Sequence, residues 1–325
     1  MAKLEGMVST HDAPSCCGAS RGEVDDAGAS EFAESESGGP GAMPAPPREM
    51  LQALTAAAPG QLSLLGLDGG AFQMGSEDQL AYPQDGEGPV RRVKVTPFAI
   101  AATTVTVAEF ATFVLATGYR SDAERMGDSL VFSGKLESGV ADSLPRVADA
   151  PWWAVVPGAT WFSPEGPGSE VRGREDHPVT HVSQRDAQAY AEWVGARLPT
   201  EEEWEFAARG GLDQQPYPWG GVRDPEGQRR MNIFPGSFPD APDGPVGTVP
   251  VRSYAPNGYG LFNVTGNVWE WTASPFHGDR AVPAMRGGSY MCHESYCRRY
   301  RTSARSSATA DTSLGHTGFR LALSR

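Results

Sequence analysis

Cys292 and Cys297, two of only four cysteines in the chain, stand five positions apart in "RGGSYMCHESYCRRYR". Two thiolates on one short loop can clamp a soft d10 ion, and copper(I) accepts low coordination by sulfur, leaving a position for a third ligand. The pair also reads as a disulfide or as two inert buried thiols. Four cysteines are too few for a disulfide scaffold of this length, and the polar, acidic start of the chain lacks the pattern of a secretory signal. The expectation is therefore a cytoplasmic, reducing setting, where a close cysteine pair is more often metal-binding or catalytic. A zinc site recruits four ligands, and no second CxxC or HxxxH stands near His293 and Glu294. His177 and His181 are separated by Pro178, which spoils a shared helical face, so both are expected to be structural hydrogen-bonders. Arg286, Arg298, Arg299, Arg301 and Arg305 crowd the cysteines in sequence and predict a locally electropositive setting that favours thiolates.

Two further stretches offer oxygen. In "LFNVTGNVWEW", Asn263 and Glu270 carry side-chain oxygens, and Gly266 and Val268 can turn carbonyls inward, a set suited to calcium. The plainer reading is a glycine turn followed by core tryptophans. In "MNIFPGSFPDAPDGP", Asn232 and Asp243 with the carbonyls of Ile233 and Pro245 form a second candidate set, although Asn and Asp in a proline-rich loop are ordinary turn formers. No nucleophile elbow or phosphate loop is present, and "DGGAFQMGS" lacks the order of a dinucleotide fingerprint.

A net charge of −13 argues against nucleic acid as partner, and no stretch is long and apolar enough for a membrane span. Residues 1–60 read as an acidic Gly/Ala/Pro-rich tail with too few large apolar side chains to offset ordering, and residues 61–325 as the folded domain. "QLSLLGLDGGAFQMGS" and "VRRVKVTPFAI" each read as a strand. Three helices announce themselves: Thr106 with Glu109 forms a capping box closed by Gly118, Ser183 caps "QRDAQAYAEWVG", and Thr200 with Glu203 opens a helix that Gly210 and Gly211 stop. Beyond Gly211 the texture is short segments broken by Gly, Pro, Asn and Asp, to be held by turns, buried side-chain hydrogen bonds or ions. The class is α+β with low regular secondary structure, short strands and a few helices.

The segments "GGAFQMGS", "HPVTHVS", "RLPTEEEWEFAARGG", "YPWG", "PNGYGLFNVTGNVWEW", "RGGSYMCHESYCRRYR" and "GFR" occur in the order found in formylglycine-generating enzymes, which the chain resembles from about Leu62 to its C-terminus. The resemblance implies an irregular C-type-lectin-like fold. It also implies a copper-dependent oxidase that uses O2 to convert a cysteine in the CxPxR segment of an unfolded sulfatase to formylglycine. It assigns copper(I) to Cys292 and Cys297, places Ser289 beside the substrate thiol and Trp269 in the wall of an oxygen pocket, and implies calcium at the two oxygen sets. A monomer is expected.

The chain departs from the family pattern at Gln184 and Arg185, at Ala308 and Ala310, and in a shortened linker from Trp271 to Arg286, all of which bear on the substrate groove. Oxidation of another thiol and a non-catalytic lectin-like binding module are the competing functions. In the tail, Cys17, Ala19 and Arg21 follow a CxAxR order close to CxPxR, which makes Cys17 a candidate tethered self-substrate.

Overall fold

The computed structural model describes residues 43–58 and 62–325, so Cys16, Cys17 and the CxAxR segment lie outside it. Six helices, α1 (Arg48–Thr55), α2 (Val107–Thr117), α3 (Asp122–Met126), α4 (Ser138–Ala141), α5 (Gln184–Trp193) and α6 (Glu201–Arg209), are interspersed with twelve short strands. The helix starts read from sequence are where local chemistry puts them. Thr106 accepts from the Glu109 amide at 3.2 Å while Glu109 accepts from the Thr106 amide at 2.8 Å, and the same reciprocal box closes Ser183 with Asp186 and Thr200 with Glu203. A fourth box, Ser121 with Glu124, opens α3. Gly118 and Gly210 end their helices in the left-handed conformation that glycine adopts without a Cβ clash.

Two expectations need correction. Residues up to 60 are not all tail, because α1 packs Leu51 and Leu54 against α2; its two leucines sit among polar neighbours too short a run to stand out. Each run read as one strand is two. β1 (Leu64–Leu67) and β2 (Gly70–Met74) break at Asp68 and Gly69, while β3 (Arg91–Val95) and β4 (Phe98–Ala101) break at Thr96 and Pro97. At Gly69 φ is +69°, and a Cβ would lie 2.3 Å from the Val95 carbonyl, so glycine is required for the bend. β1 then pairs with β4 and β2 with β3.

β5 (Asp128–Phe132), β6 (Arg146–Val147) and β7 (Ala150–Pro157) make one sheet. The sheet that carries the cysteines is ordered β10-β9-β8-β11, from β8 (Trp269–Phe276), β9 (Asp279–Arg286), β10 (Arg305–Ser307) and β11 (Thr317–Phe319). β8 and β9 form the tight hairpin that the shortened linker allows, and the cysteine loop is the connection from β9 to β10. β12 (Ala322–Ser324) closes the first sheet on β4. Between α6 and β8 only a 3-10 turn interrupts irregular chain. Asparagine side chains hold this region as expected: Asn257 accepts from the amides of Tyr259 and Leu261 and donates to the carbonyls of Ala207 and Ala208.

The arginine cluster is not a free positive field. Arg286 donates to Glu201 and Glu205, Arg305 grips Glu201 with two 2.7 Å bonds, Arg299 holds Asp85 at 2.6 and 3.1 Å, and Arg301 holds Glu87 at 2.5 and 2.7 Å. Of the five, Arg298 is the one that forms no ion pair with a carboxylate among the described residues. Glu87→Ala strands the fully buried Arg301 guanidinium, and urea unfolding is expected to show a loss of about 3–5 kcal/mol. Glu202→Ala, which removes only a 3.5 Å surface pairing with Arg91, is expected to cost less than about 1 kcal/mol.

Candidate active site

Gly287 and Gly288, both at positive φ, turn the chain inward after β9. A Cβ on Gly288 would meet the Arg299 carbonyl at 2.8 Å, so the start and end of the loop are packed backbone to backbone. Within that turn the Cys292 amide donates to the Ser289 carbonyl at 3.0 Å and the Cys297 amide to the His293 carbonyl at 2.8 Å. The two sulfurs thereby face each other 3.1 Å apart, each with 0% of its residue surface exposed. The two cysteines are free thiols in this structure, not a disulfide. The Ser289 amide points at the Cys292 sulfur from 3.4 Å. The Ser289 hydroxyl, buried beside the pair, accepts from the Met291 amide.

His293 and Glu294 turn outward, His293 to Ser295 and Glu294 to Arg223. Among the described residues no group of three or more His, Cys, Asp or Glu side chains gathers as a metal cage. The donor set is thus two sulfurs in an apolar cluster that also contains Trp269, Trp271, Met285 and Tyr300.

The junction of β8 and β11 adds something not read from sequence. Trp269 pairs in register with Thr317, and the indole nitrogen of Trp269, the hydroxyl of Thr317 and both ring nitrogens of His316 are buried without a hydrogen-bond partner. Each such group costs about 1–3 kcal/mol, and a concentration of them marks a wall made to meet a polar guest or ordered water. Burial pushes the His316 imidazole down to about 3, against the pull of the Cys297 charge, so it is neutral near pH 7. The clue in the sequence was one residue of "GHTGFR" lying ahead of the quoted "GFR". His181 and His177 are the hydrogen-bonders expected, bound to Ser129 at 2.8 Å and Thr248 at 2.9 Å.

Of the oxygen sets, Asn263 carries the observation that fits a cation: its side-chain oxygen is buried and unpartnered while its amide donates to the Pro250 carbonyl. Glu270 is engaged differently from the sequence reading, since both its oxygens accept from Arg320, at 2.6 and 2.8 Å, and one also from Trp204. The second set is less assembled. The Ile233 carbonyl accepts from the Arg229 guanidinium, and Asp243 and Pro245 are exposed. The two loops touch: the Asn267 amide donates to the Asn232 carbonyl at 2.8 Å, and a Cβ on Gly266 would meet that carbonyl at 2.4 Å.

Two cavities flank the cysteine loop. One, of about 650 Å³, is lined by Phe132, Trp152, Pro151 and Pro239 together with Asp142 and Asp240; Trp152 meets the loop through Tyr296, ring centroids 5.5 Å apart. The other, of about 610 Å³, is lined by Tyr217, Tyr300, Arg223, Glu294 and Arg298. Tyr300 stacks on Tyr217. Burial, with a contribution from the Cys292 charge, pushes its hydroxyl up to about 12.

A family model described as "Sulfatase-modifying factor enzyme 1-like domain" matches residues 53–325. The chain is 52% identical over 280 residues to a formylglycine-generating enzyme of Thermomonospora curvata, covering 80% of this chain and 92% of that one. It is also 44% identical to a protein of Bos taurus named inactive C-alpha-formylglycine-generating enzyme 2, covering 80% and 88%. Among solved structures, PvdO from Pseudomonas aeruginosa aligns with a TM-score of 0.56 at 24% identity, covering 82% of this chain and 99% of that one, a likeness of fold.

His181 and His316, both held near 3 by burial, refuse protons that the unfolded chain accepts below its histidine value of about 6.5. Folding stability is therefore expected to fall as pH drops from about 6.5 toward 3, by about 1.4 kcal/mol per pH unit for each histidine. His181→Gln should make the slope shallower by one such share, read from urea midpoints between about pH 4 and 6. Asp186, raised to about 7, contributes the opposite slope in both proteins and drops out of the difference.

Proposed function

The chain belongs to the sulfatase-modifying factor family of formylglycine-generating enzymes, and from that premise we propose that it oxidises a peptidyl cysteine in a CxPxR-type segment to formylglycine, with O2 as oxidant. The observation that carries the reading is the pair of buried thiols facing each other at 3.1 Å. Cys292 and Cys297 would hold copper(I), a soft ion content with two sulfurs, and the third position is left to the substrate thiol. When bound, the ion supplies the redox chemistry with dioxygen that no side chain here offers.

The remaining roles belong to the chain. The Ser289 amide donates toward the Cys292 sulfur and would hold it in place, and the Ser289 hydroxyl, buried beside the pair, would meet an incoming thiol. Apolar packing around Trp269 and Trp271 keeps bulk water from the sulfurs, while the neutral His316 imidazole and the Trp269 indole offer unspent polar atoms in the wall behind them. The aromatic cavity would suit the substrate segment: Trp152 and Pro239 complement a proline, and Asp142 and Asp240 complement an arginine, the cavity's own Arg146 being turned to the carbonyls of Pro151 and Ala141. Cys17, in its CxAxR setting, is a second proposed target of the same site.

Incubation of the copper-loaded protein with a CxPxR peptide, followed by mass spectrometry, is expected to show conversion of cysteine to formylglycine. Cys292→Ser and Cys297→Ser are each expected to lose both conversion and tight copper(I) binding. A copper-loaded wild type that leaves the peptide unchanged would support the binding-module reading instead. For calcium at Asn263, chelation should lower the thermal midpoint of the wild type, and Asn263→Ala should abolish that sensitivity.

A further inference from the structure

We propose that the 610 Å³ cavity selects substrates bearing an aspartate or glutamate just N-terminal to the target cysteine, and that Arg298 reads that carboxylate. The inference rests on the oxidase reading and deepens it. Its basis is the charge pattern across the cysteine loop. On the Trp152 side the cavity holds Asp142 and Asp240 against one cation, Arg146, which is taken up by the carbonyls of Pro151 and Ala141, so its free side-chain charge is negative and complements the arginine that follows the cysteine in the segment. A peptide crossing the loop with its cysteine at the thiol pair therefore sends its preceding residues to the opposite side. Arg298, in the lining of the second cavity, is the neighbour of Cys297 in the chain, so the proposal assigns that cavity to the residues just before the cysteine.

Three arginines line that second cavity, and two are already occupied. Arg301 is saturated by Glu87. Arg223 is divided between Asp224 at 2.6 Å and Glu294 at 2.7 Å. Arg298, the residue immediately after Cys297, is half-buried, its guanidinium 5.7 Å from the Tyr82 ring centroid, and forms no ion pair with a carboxylate among the described residues. A guanidinium partly withdrawn from water is a bidentate receptor for a carboxylate. Every other arginine the sequence crowded around the cysteines is engaged by an acidic side chain of this chain, so this one is the cation left for a guest.

The test uses the full copper-loaded chain and three peptides of one CxPxR sequence with Glu, Gln or Lys two residues before the cysteine. KM is expected to rise from Glu to Gln to Lys by about three- to ten-fold per step, with kcat unchanged and the spread narrowing at high salt. Arg298→Gln should erase the spread and Arg298→Glu should invert it, with the thermal midpoint of both variants near that of the wild type. The same series with serine replacing the target cysteine, followed by fluorescence anisotropy on the metal-free protein, should give the same order of affinity. Equal KM and equal affinity across the three peptides, or a spread that survives in Arg298→Gln, would overturn the assignment. Absence of turnover with all three would overturn the oxidase reading, while the anisotropy series still decides the role of Arg298.

Discussion

The geometry of the candidate site depends on arginines that are buried and matched. Arg299 and Arg301 follow the cysteine loop directly, and their partners, Asp85 and Glu87, lie more than two hundred residues earlier, around a 3-10 turn at Pro83–Asp85. Arg286, at the end of β9, fixes the entry to the loop on α6 through Glu201 and Glu205. Buried pairs of this kind add little net stability over apolar packing, because desolvation offsets most of the attraction, but a mismatched arrangement leaves a bare charge in the interior. They therefore specify one path for a segment that has neither helix nor ladder to define it. The sulfurs meet because the chain on either side of them has a single place to go.

What was legible in the sequence follows from the range of the interactions. Capping boxes and glycine stops act within four residues, so α2, α5 and α6 were readable from Thr106, Ser183 and Thr200. The closeness of Cys292 and Cys297 was equally readable, since five positions on one loop constrain their separation. Partners at long range were not. Nothing near Glu270 in the chain announces Arg320, which takes both its oxygens, and nothing near Arg286 or Arg301 announces the carboxylates that cancel them, so the local arginine count predicted a field that the fold removes. His316 was invisible for a related reason, because its interest lies in what does not bond to it. Helix α1 was missed since two leucines gain meaning only against α2.

Accessibility is the other property that spacing does not encode. Two thiols on a loop look reactive on the page, yet here both are shut away from solvent in an apolar cluster. Two openings lie near the loop, one with Trp152, Asp142, Asp240 and Arg146 in its lining, the other with Arg223, Arg298, Arg301, Asp224 and Glu294. The sulfurs thus sit in dry packing, while the charged side chains of the two cavities sit where water and salt reach them.

The closure of the first sheet carries a further consequence. β12, the last strand, lies against β4 from the first third of the chain, and Ala322 also bridges to Arg197. Contacts spanning so much sequence form late. Docking of β12 on β4 therefore completes the first sheet after the helices set by their own caps, and without residues 322–324 one side of β4 would be left as an unpaired edge.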